Sequence, residues 1–507
     1  MAKCHATENK MALFNTKATR LQRYKTHPAK TTSHEGGDLY TSTPEMELYL
    51  QACTMMFNDK FYESKSEARQ RLVRLINQCD RTYVLKLAAY VRNEMKLRSV
   101  PQMLLAEASV MVRNSPGEPK PDVRAYTPRI VKRADEMGEV LSYWINVIGN
   151  GSKSKLPNAL RKGLADVFGT FDEYQLDKYN RKSASVKLVD VLRLVHPKPS
   201  SKERSALYRR LRDGELNPGT LTHEKVLSAA GQSGKSKKDA WNDIASSMGT
   251  MALLKNVRNM HEAGADKALD IAKENFISNN ASNRMLPIRW YQAYMHAPDS
   301  SVKDAIAVGL ENSLKNLPVL NGKIAMVVDT SNSMTWHEYR HNGQLPIQTA
   351  ALLSAIGIGM CKPGSTYTSG QFATSYGESS VSSRDSVITN MEKTLSSVGK
   401  CGGGTDPSTI LNNWIARKKV VDHFFLFSDM QIVQRAHGFA ALWDEYRCKI
   451  NPKAKMYTFD LNGYGKGGLV PDHEKGCYQF AGFSERVFDF VSILDRGEDM
   501  TSIINNY

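Results

Sequence analysis

No stretch of this 507-residue chain approaches the roughly 20 apolar residues that a bilayer span needs. The longest apolar runs, Lys323 to Val328 and His423 to Phe427, have the length of strands. The first residues, Met1 to Lys10, lack the apolar centre of a secretory leader. Cysteine is scarce and scattered, at seven positions with no CxxC pair. That argues against a disulfide framework and against a zinc knuckle. The expectation is a cytoplasmic protein with reduced thiols and no membrane contact. Acid is also in short supply, with 52 Asp+Glu against 68 Lys+Arg and a net charge of +16. Residues 321–507 hold 18 of each sign, so the whole positive excess lies upstream of them. A strongly basic segment precedes a neutral one, and the basic one is where a polyanion would bind by neutralising phosphates.

Residues up to about 45 are polar and carry no clear period. From there to Leu314 the pattern is helical. Val84, Leu87, Ala88, Val91 and Met95 recur at the spacing of one helix face. Ser99 and Pro101 mark the start of another helix. Further amphipathic segments include Arg129 to Asn146, Asn158 to Phe168, Val186 to Val195 and Asp266 to Phe276. Turn signals such as Asn150-Gly151 and Asn217-Pro218-Gly219 separate them. Helices in succession, with almost no alternating strand pattern, suggest an all-α solenoid, with a globular bundle as the alternative. After Gly322 the texture changes. Short apolar runs at Lys323 to Val328, Thr366 to Phe372, His423 to Phe427 and Lys455 to Phe459 alternate with helical patterns. That alternation implies a doubly wound α/β sheet covered on both faces, with ligands outside its carboxyl edge.

The first of these strands ends in Asp329-Thr330-Ser331-Asn332-Ser333, a DxSxS motif. A carboxylate and two hydroxyls spaced by two residues can face one point, and a hard cation such as Mg²⁺ wants oxygen ligands. A second loop, Gly402-Gly403-Gly404-Thr405, offers another hydroxyl. A third strand ends in Ser428-Asp429. The expected metal ligands are therefore Asp329, Ser331, Ser333, Thr405 and Asp429, around a divalent cation, Mg²⁺ by preference. Asp406 reads as a helix cap. This segment resembles the von Willebrand factor A domains and their metal-ion-dependent adhesion site. The resemblance implies that an acidic group of a protein partner completes the metal's coordination.

Two other glycine motifs fail their context. Gly463-Tyr464-Gly465-Lys466-Gly467-Gly468 leads into Leu469-Val470-Pro471 rather than a helix. Gly234-Lys235-Ser236 has Ala229 where a phosphate-binding loop needs glycine, and no strand precedes it.

Positive charge concentrates between Lys153 and Lys202. The candidate RNA-binding residues there are Lys155, Arg161, Lys162, Lys178, Arg181, Lys182, Lys187, His196 and Lys198. Tyr174 and Tyr179 interleave as stacking partners for unpaired bases. The segment Leu85 to Glu94 with Leu97-Arg98-Ser99-Val100-Pro101, and the segment Asp177-Lys178-Tyr179-Asn180 with Asp190 to Leu194 and His196-Pro197-Lys198-Pro199, resemble the TROVE module of the Ro autoantigen family. The resemblance implies a ring of HEAT-like helical repeats followed by a von Willebrand factor A-like domain. It implies small structured noncoding RNA, of the Y type, on the outer basic surface and single-stranded ends of misfolded RNA in a central hole. It also implies a role in RNA quality control and an exoribonuclease tethered through the RNA. Asn180 to Val186 departs from the family in spacing, which leaves Arg181 and Lys182 without an assigned role.

The expected organisation is a flexible arm over 1–34, a helical-repeat RNA-binding domain over 35–318 and an A-like domain over 319–507, in a monomer. The alternative function is a metal-dependent module that grips an acidic partner and binds no specific RNA. A two-metal nuclease is disfavoured, because only Asp329 and Asp429 are placed for it and no Ser/His/Asp set is evident. The expectation is a protein that is not an enzyme.

Overall fold

The structure is a computed structural model of the chain. It describes residues 30–40, 43–54, 65–110, 122–148, 156–181, 183–219, 222–278, 285–336, 344–362, 365–433, 438–462, 467–470, 476–481, 488, 491 and 500–507. Described helices succeed one another from Pro44–Thr54 to Ser300–Ser313. Each packs on its neighbour or on the helix two places along: Arg81–Asn93 meets both Ser99–Val110 and Val123–Ile130, and Asp266–Ile277 meets both Thr250–Glu262 and Ser300–Ser313. That stacking is the geometry of a helical repeat, in which each unit buries its apolar face against the next.

Local chemistry sets the helix ends. Asp80 caps Arg81–Asn93 by accepting from the Thr82 N–H at 2.7 Å. The apolar period across Arg129 to Asn146 suggested one helix, but the chain forms two, Val123–Ile130 and Ala134–Tyr143. The break is held by Glu136, whose Oε2 accepts from the N–H groups of Lys132 at 2.8 Å and Arg133 at 3.2 Å. Its Oε1 takes a 2.7 Å ion pair from Arg92 on the preceding layer.

The C-terminal part holds a six-stranded sheet in the order β5-β4-β3-β6-β7-β8. These strands are β3 (Lys323–Asp329), β4 (Thr366–Phe372), β5 (Tyr376–Glu378), β6 (His423–Ser428), β7 (Lys455–Asp460) and β8 (Cys477–Ala481). All pairs are parallel except β4 with β5. Side chains alternate between two cores. Ile324, Met326, Val328, Phe425 and Phe427 face the helices Pro346–Gly359 and Val387–Leu395, in one continuous core with the helical repeats. Ala325, Val327, Phe424 and Leu426 face Ser408–Ala416 and Phe439–Lys449. The fold is thus a helical-repeat region joined to a doubly wound α/β unit, as the sequence pattern implied. Among the described residues no helix is long and apolar enough to cross a membrane.

Residues 30–34 of the expected arm are part of a hairpin, β1 (Lys30–Thr32) and β2 (Asp38–Tyr40). It docks on the far α/β unit, where Leu39 is buried with Met430, Ile432 and Leu469. At the other end Tyr507 packs against Tyr90 and Arg129 of the helical region.

Candidate functional site

Asp329 closes β3 and Ser428 closes β6, and these two strands are neighbours. Strands pair on both sides of β3, β4 on one and β6 on the other, so the carboxyl ends of β3 and β6 stand at the topological switch point. The Asp329 carboxylate accepts from the Ser331 N–H at 2.9 Å on Oδ1 and from the Ser428 hydroxyl at 2.6 Å on Oδ2. The Ser331 and Ser333 hydroxyls lie 3.2 Å apart. Asp429 Oδ1 accepts from the Gln431 N–H at 3.2 Å. The glycine loop is drawn in by backbone bonds from Asn332 to the Gly403 carbonyl, 3.0 Å, and from Val433 to the Thr405 carbonyl, 3.1 Å. A Cβ on Gly403 would press on the Asn332 side chain, which would have to shift. Asp406 Oδ1 accepts from the Ser408 N–H at 3.0 Å at the start of Ser408–Ala416, so it caps that helix. All five expected ligand residues therefore gather at one edge, and all five are buried.

The donor set nevertheless does not make a metal centre, and the expected divalent cation is overturned. Among the described residues no group of three or more His, Cys, Asp or Glu is placed to hold a metal ion. Two carboxyls and three hydroxyls are what converge. Each oxygen of Asp329 already accepts one hydrogen bond. Burial pushes the Asp329 carboxyl up to about 6, against the opposing pull of the Ser428 and Ser331 hydrogen bonds. Burial, then the nearby Asp329 charge, pushes Asp429 up to about 8. A metal ligand must be deprotonated, whereas burial and the Asp329 charge hold Asp429 toward the neutral carboxylic acid. Asp429 Oδ2 is buried and, among the described residues, makes no hydrogen bond. The Mg²⁺ and adhesion-site readings fall together, and so does an acidic partner bridged through the cation.

The basic candidates sit on a run of adjacent elements in the helical region. Arg161 and Lys162 lie on Asn158–Phe168, Lys178 on Glu173–Tyr179, and Arg181 just beyond it. Lys187 immediately precedes Leu188–Val195, and His196 follows that helix in a left-handed conformation, φ 49°. Lys198 is in the next turn. Lys155 and Lys182 lie outside the described residues. Helix Leu188–Val195 packs on Asn158–Phe168 and on Ala134–Tyr143, which also carries Glu173–Tyr179, so the structure brings these elements into one neighbourhood.

Lys162, Lys178, Lys187 and Lys198 are exposed and make no ion pair among the described residues. Arg161 instead donates to Asn158 at 2.8 Å, and Arg181 stands 3.9 Å from Asp135. Lys178 lies over the rings of Tyr174, 5.6 Å, and Tyr179, 5.9 Å. Sequence reasoning missed Arg133, at the helix break, whose guanidinium lies 4.4 Å from the Tyr179 ring centre and is ion-paired with Asp135. No spacing rule links positions 133 and 179. Other cations in this region are neutralised locally, Lys225 by Asp177 at 2.5 Å and Arg210 by Glu173 at 2.6 Å.

Residues 6–215 match the family model of the TROVE domain. Over 101 residues the chain is 33% identical to telomerase protein component 1 of Rattus norvegicus, and over 100 residues it is 32% identical to that of Mus musculus. Each match takes in 19% of this chain and 4% of the relative, so the chain spans a small fraction of those proteins. The fold is similar to that of the Deinococcus radiodurans RO (RSR) protein in its crystal structure. That likeness has a TM-score of 0.63 at 17% identity and covers 90% of this chain and 100% of the other.

Proposed function

We propose that this chain, whose residues 6–215 match the TROVE domain, binds RNA on the basic face of its helical region. It is not an enzyme. The observation that carries the reading is the set of exposed, unpaired lysines, Lys162, Lys178, Lys187 and Lys198, beside Tyr174, Tyr179 and Arg133. Cations with no close ion pair are available to neutralise phosphates, and tyrosine faces accept unstacked bases. The RNA is a small structured noncoding species of the Y type, and single-stranded ends of misfolded RNA are a second class of ligand. The protein then serves RNA quality control or ribonucleoprotein assembly in the cytoplasm, with an exoribonuclease recruited through the RNA. We assign RNA binding to residues 35–318 and give the α/β unit, 319–507, no part in holding the RNA, since its charges balance.

The test is filter binding or fluorescence anisotropy with a structured RNA over a salt series. Reversal of Lys178, Lys187 and Lys198 to Glu should weaken binding at least tenfold and flatten the salt slope, by about 0.7–0.9 for each phosphate no longer neutralised. Unchanged affinity and slope would remove the reading. Binding should be equal with and without chelator.

A further inference from the structure

Near the carboxyl ends of β7 and β8 lies a cavity of only about 10 Å³, lined by Met430, Asp460, Gly467 and Gln479 among others. At the opposite edge, where β3 and β4 begin, lies a cavity of about 390 Å³. That is the lower range of small-molecule sites, about 300–1,000 Å³. Lys323 opens β3 and is paired in register with Thr366 on β4, and Thr368 is two residues along on the same face. Lys418, Lys419 and Val420 close the cavity from the turn that leads into β6.

Among the described residues every polar side chain lining this cavity is an ammonium or a hydroxyl, and none is a carboxylate. Two nearby acids are already committed. Glu378 takes Lys419 at 2.6 Å. Asp422 accepts from the backbone N–H of Lys323 at 2.8 Å and from the Asn451 side chain at 2.9 Å. Lys323 and Lys418 are exposed and make no ion pair among the described residues. Lys419 and Lys418 follow the end of Ser408–Ala416, where cations offset the helix dipole. That role accounts for neither Lys323 on a separate strand nor the two threonines. Val420 is 38% exposed, an apolar surface beside the donors.

We propose that this cavity binds the phosphate of a small phosphomonoester, of nucleoside monophosphate size, through Lys323 and Lys418. Thr366 and Thr368 supply further donors, and Val420 lies against the organic part. A donor-only lining with two uncompensated charges recognises an acceptor-rich anion, and charge-assisted bonds supply the affinity. The site lies on the α/β unit and stands whether or not the helical face binds RNA. Two sources share the chemistry, a free nucleotide and the phosphorylated end of an oligonucleotide.

The experiment is isothermal titration of the full chain with inorganic phosphate, a nucleoside 5′-monophosphate, and one short oligonucleotide with and without its 5′-phosphate. The monophosphate should bind and should exceed inorganic phosphate. Lys323→Gln combined with Lys418→Gly should weaken it about tenfold or more. Glycine suits position 418, where φ is 50°. Glu378→Gln frees Lys419, leaves the cavity lining intact and should tighten binding, which keeps the proposal testable if the double variant folds poorly. A gain from the oligonucleotide's 5′-phosphate identifies the strand end as the source, and binding of the free monophosphate alone identifies the nucleotide. No binding of the monophosphate by the wild-type chain, or equal binding by the double variant and Glu378→Gln, overturns the proposal.

Discussion

The backbone N–H of Gly37 donates to the carbonyl of Ile432 at 2.9 Å. This bond clips the β1–β2 hairpin onto the loop that carries Asp429. His34 N–H donates to the Gln431 side chain at 3.2 Å, and Gln431 in turn holds Asp429. A Cβ on Gly37 would run into the Ile432 carbonyl. Gly37→Ala should therefore cost about 1–3 kcal/mol by overpacking, and Leu39→Ala about 2–5 kcal/mol by leaving a cavity. Urea unfolding checks both. A Gly37→Ala midpoint equal to wild type would show that the hairpin is not seated on this loop.

Tyr507 ties the opposite end of the chain to the helical region. Its hydroxyl donates to Glu94 at 3.1 Å, and its ring meets Tyr90 edge-on at 5.7 Å with Arg129 at 5.5 Å. The Tyr507 carbonyl also accepts from Arg129, and the Asn505 carbonyl from Lys86. Tyr507→Ala should cost about 1–2 kcal/mol and speed amide exchange in Arg81–Asn93. Tyr507→Phe, which keeps the ring, should cost less than half as much. Identical exchange in wild type and Tyr507→Ala would rule out the clasp.

What was legible in the sequence follows from burial. Ile324 to Val328 and Phe424 to Phe427 are buried on both faces, so β3 and β6 read as continuous apolar runs. The β1–β2 hairpin did not read, because in Asp38–Tyr40 only Leu39 is fully buried and its partners lie beyond position 430. The break at Val131 to Arg133 was hidden because Ile130, Ala134 and Met137 continue one apolar stripe across it. At the site, spacing brought the right oxygens together. It carried no information on their charge, which depends on burial of Asp329 and Asp429 and on the hydrogen bonds that Asp329 already makes.

Magnesium should therefore leave stability unchanged. A ligand that binds only the folded chain raises its stability by mass action, about 2.7 kcal/mol at a hundredfold excess over Kd. Melting midpoints in millimolar Mg²⁺ and in chelator should coincide. A midpoint that climbs with Mg²⁺, and stops doing so in Asp329→Ala, would restore the metal reading.

The carboxyl pair should show itself in the pH dependence of stability. An unfolded aspartate titrates near about 3.9, whereas Asp329 is raised to about 6 and Asp429 to about 8. Folding thus takes up protons between these values. The contribution of the pair is fully present below about pH 4 and is lost as pH rises through about 6 and then about 8. Asp429→Asn fixes the neutral form and preserves an acceptor for the Gln431 N–H. It should remove at least about 1 kcal/mol of the stability lost between pH 5 and pH 9, and be more stable than wild type at the alkaline end. Asp329→Asn should not help, because both Asp329 oxygens accept hydrogen bonds and an amide N–H₂ would face the donor at Ser331 or the Ser428 hydroxyl. Urea midpoints at pH 5, 7 and 9 decide the matter. Parallel curves for wild type and Asp429→Asn would mean that Asp429 is ionised in the folded protein at neutral pH.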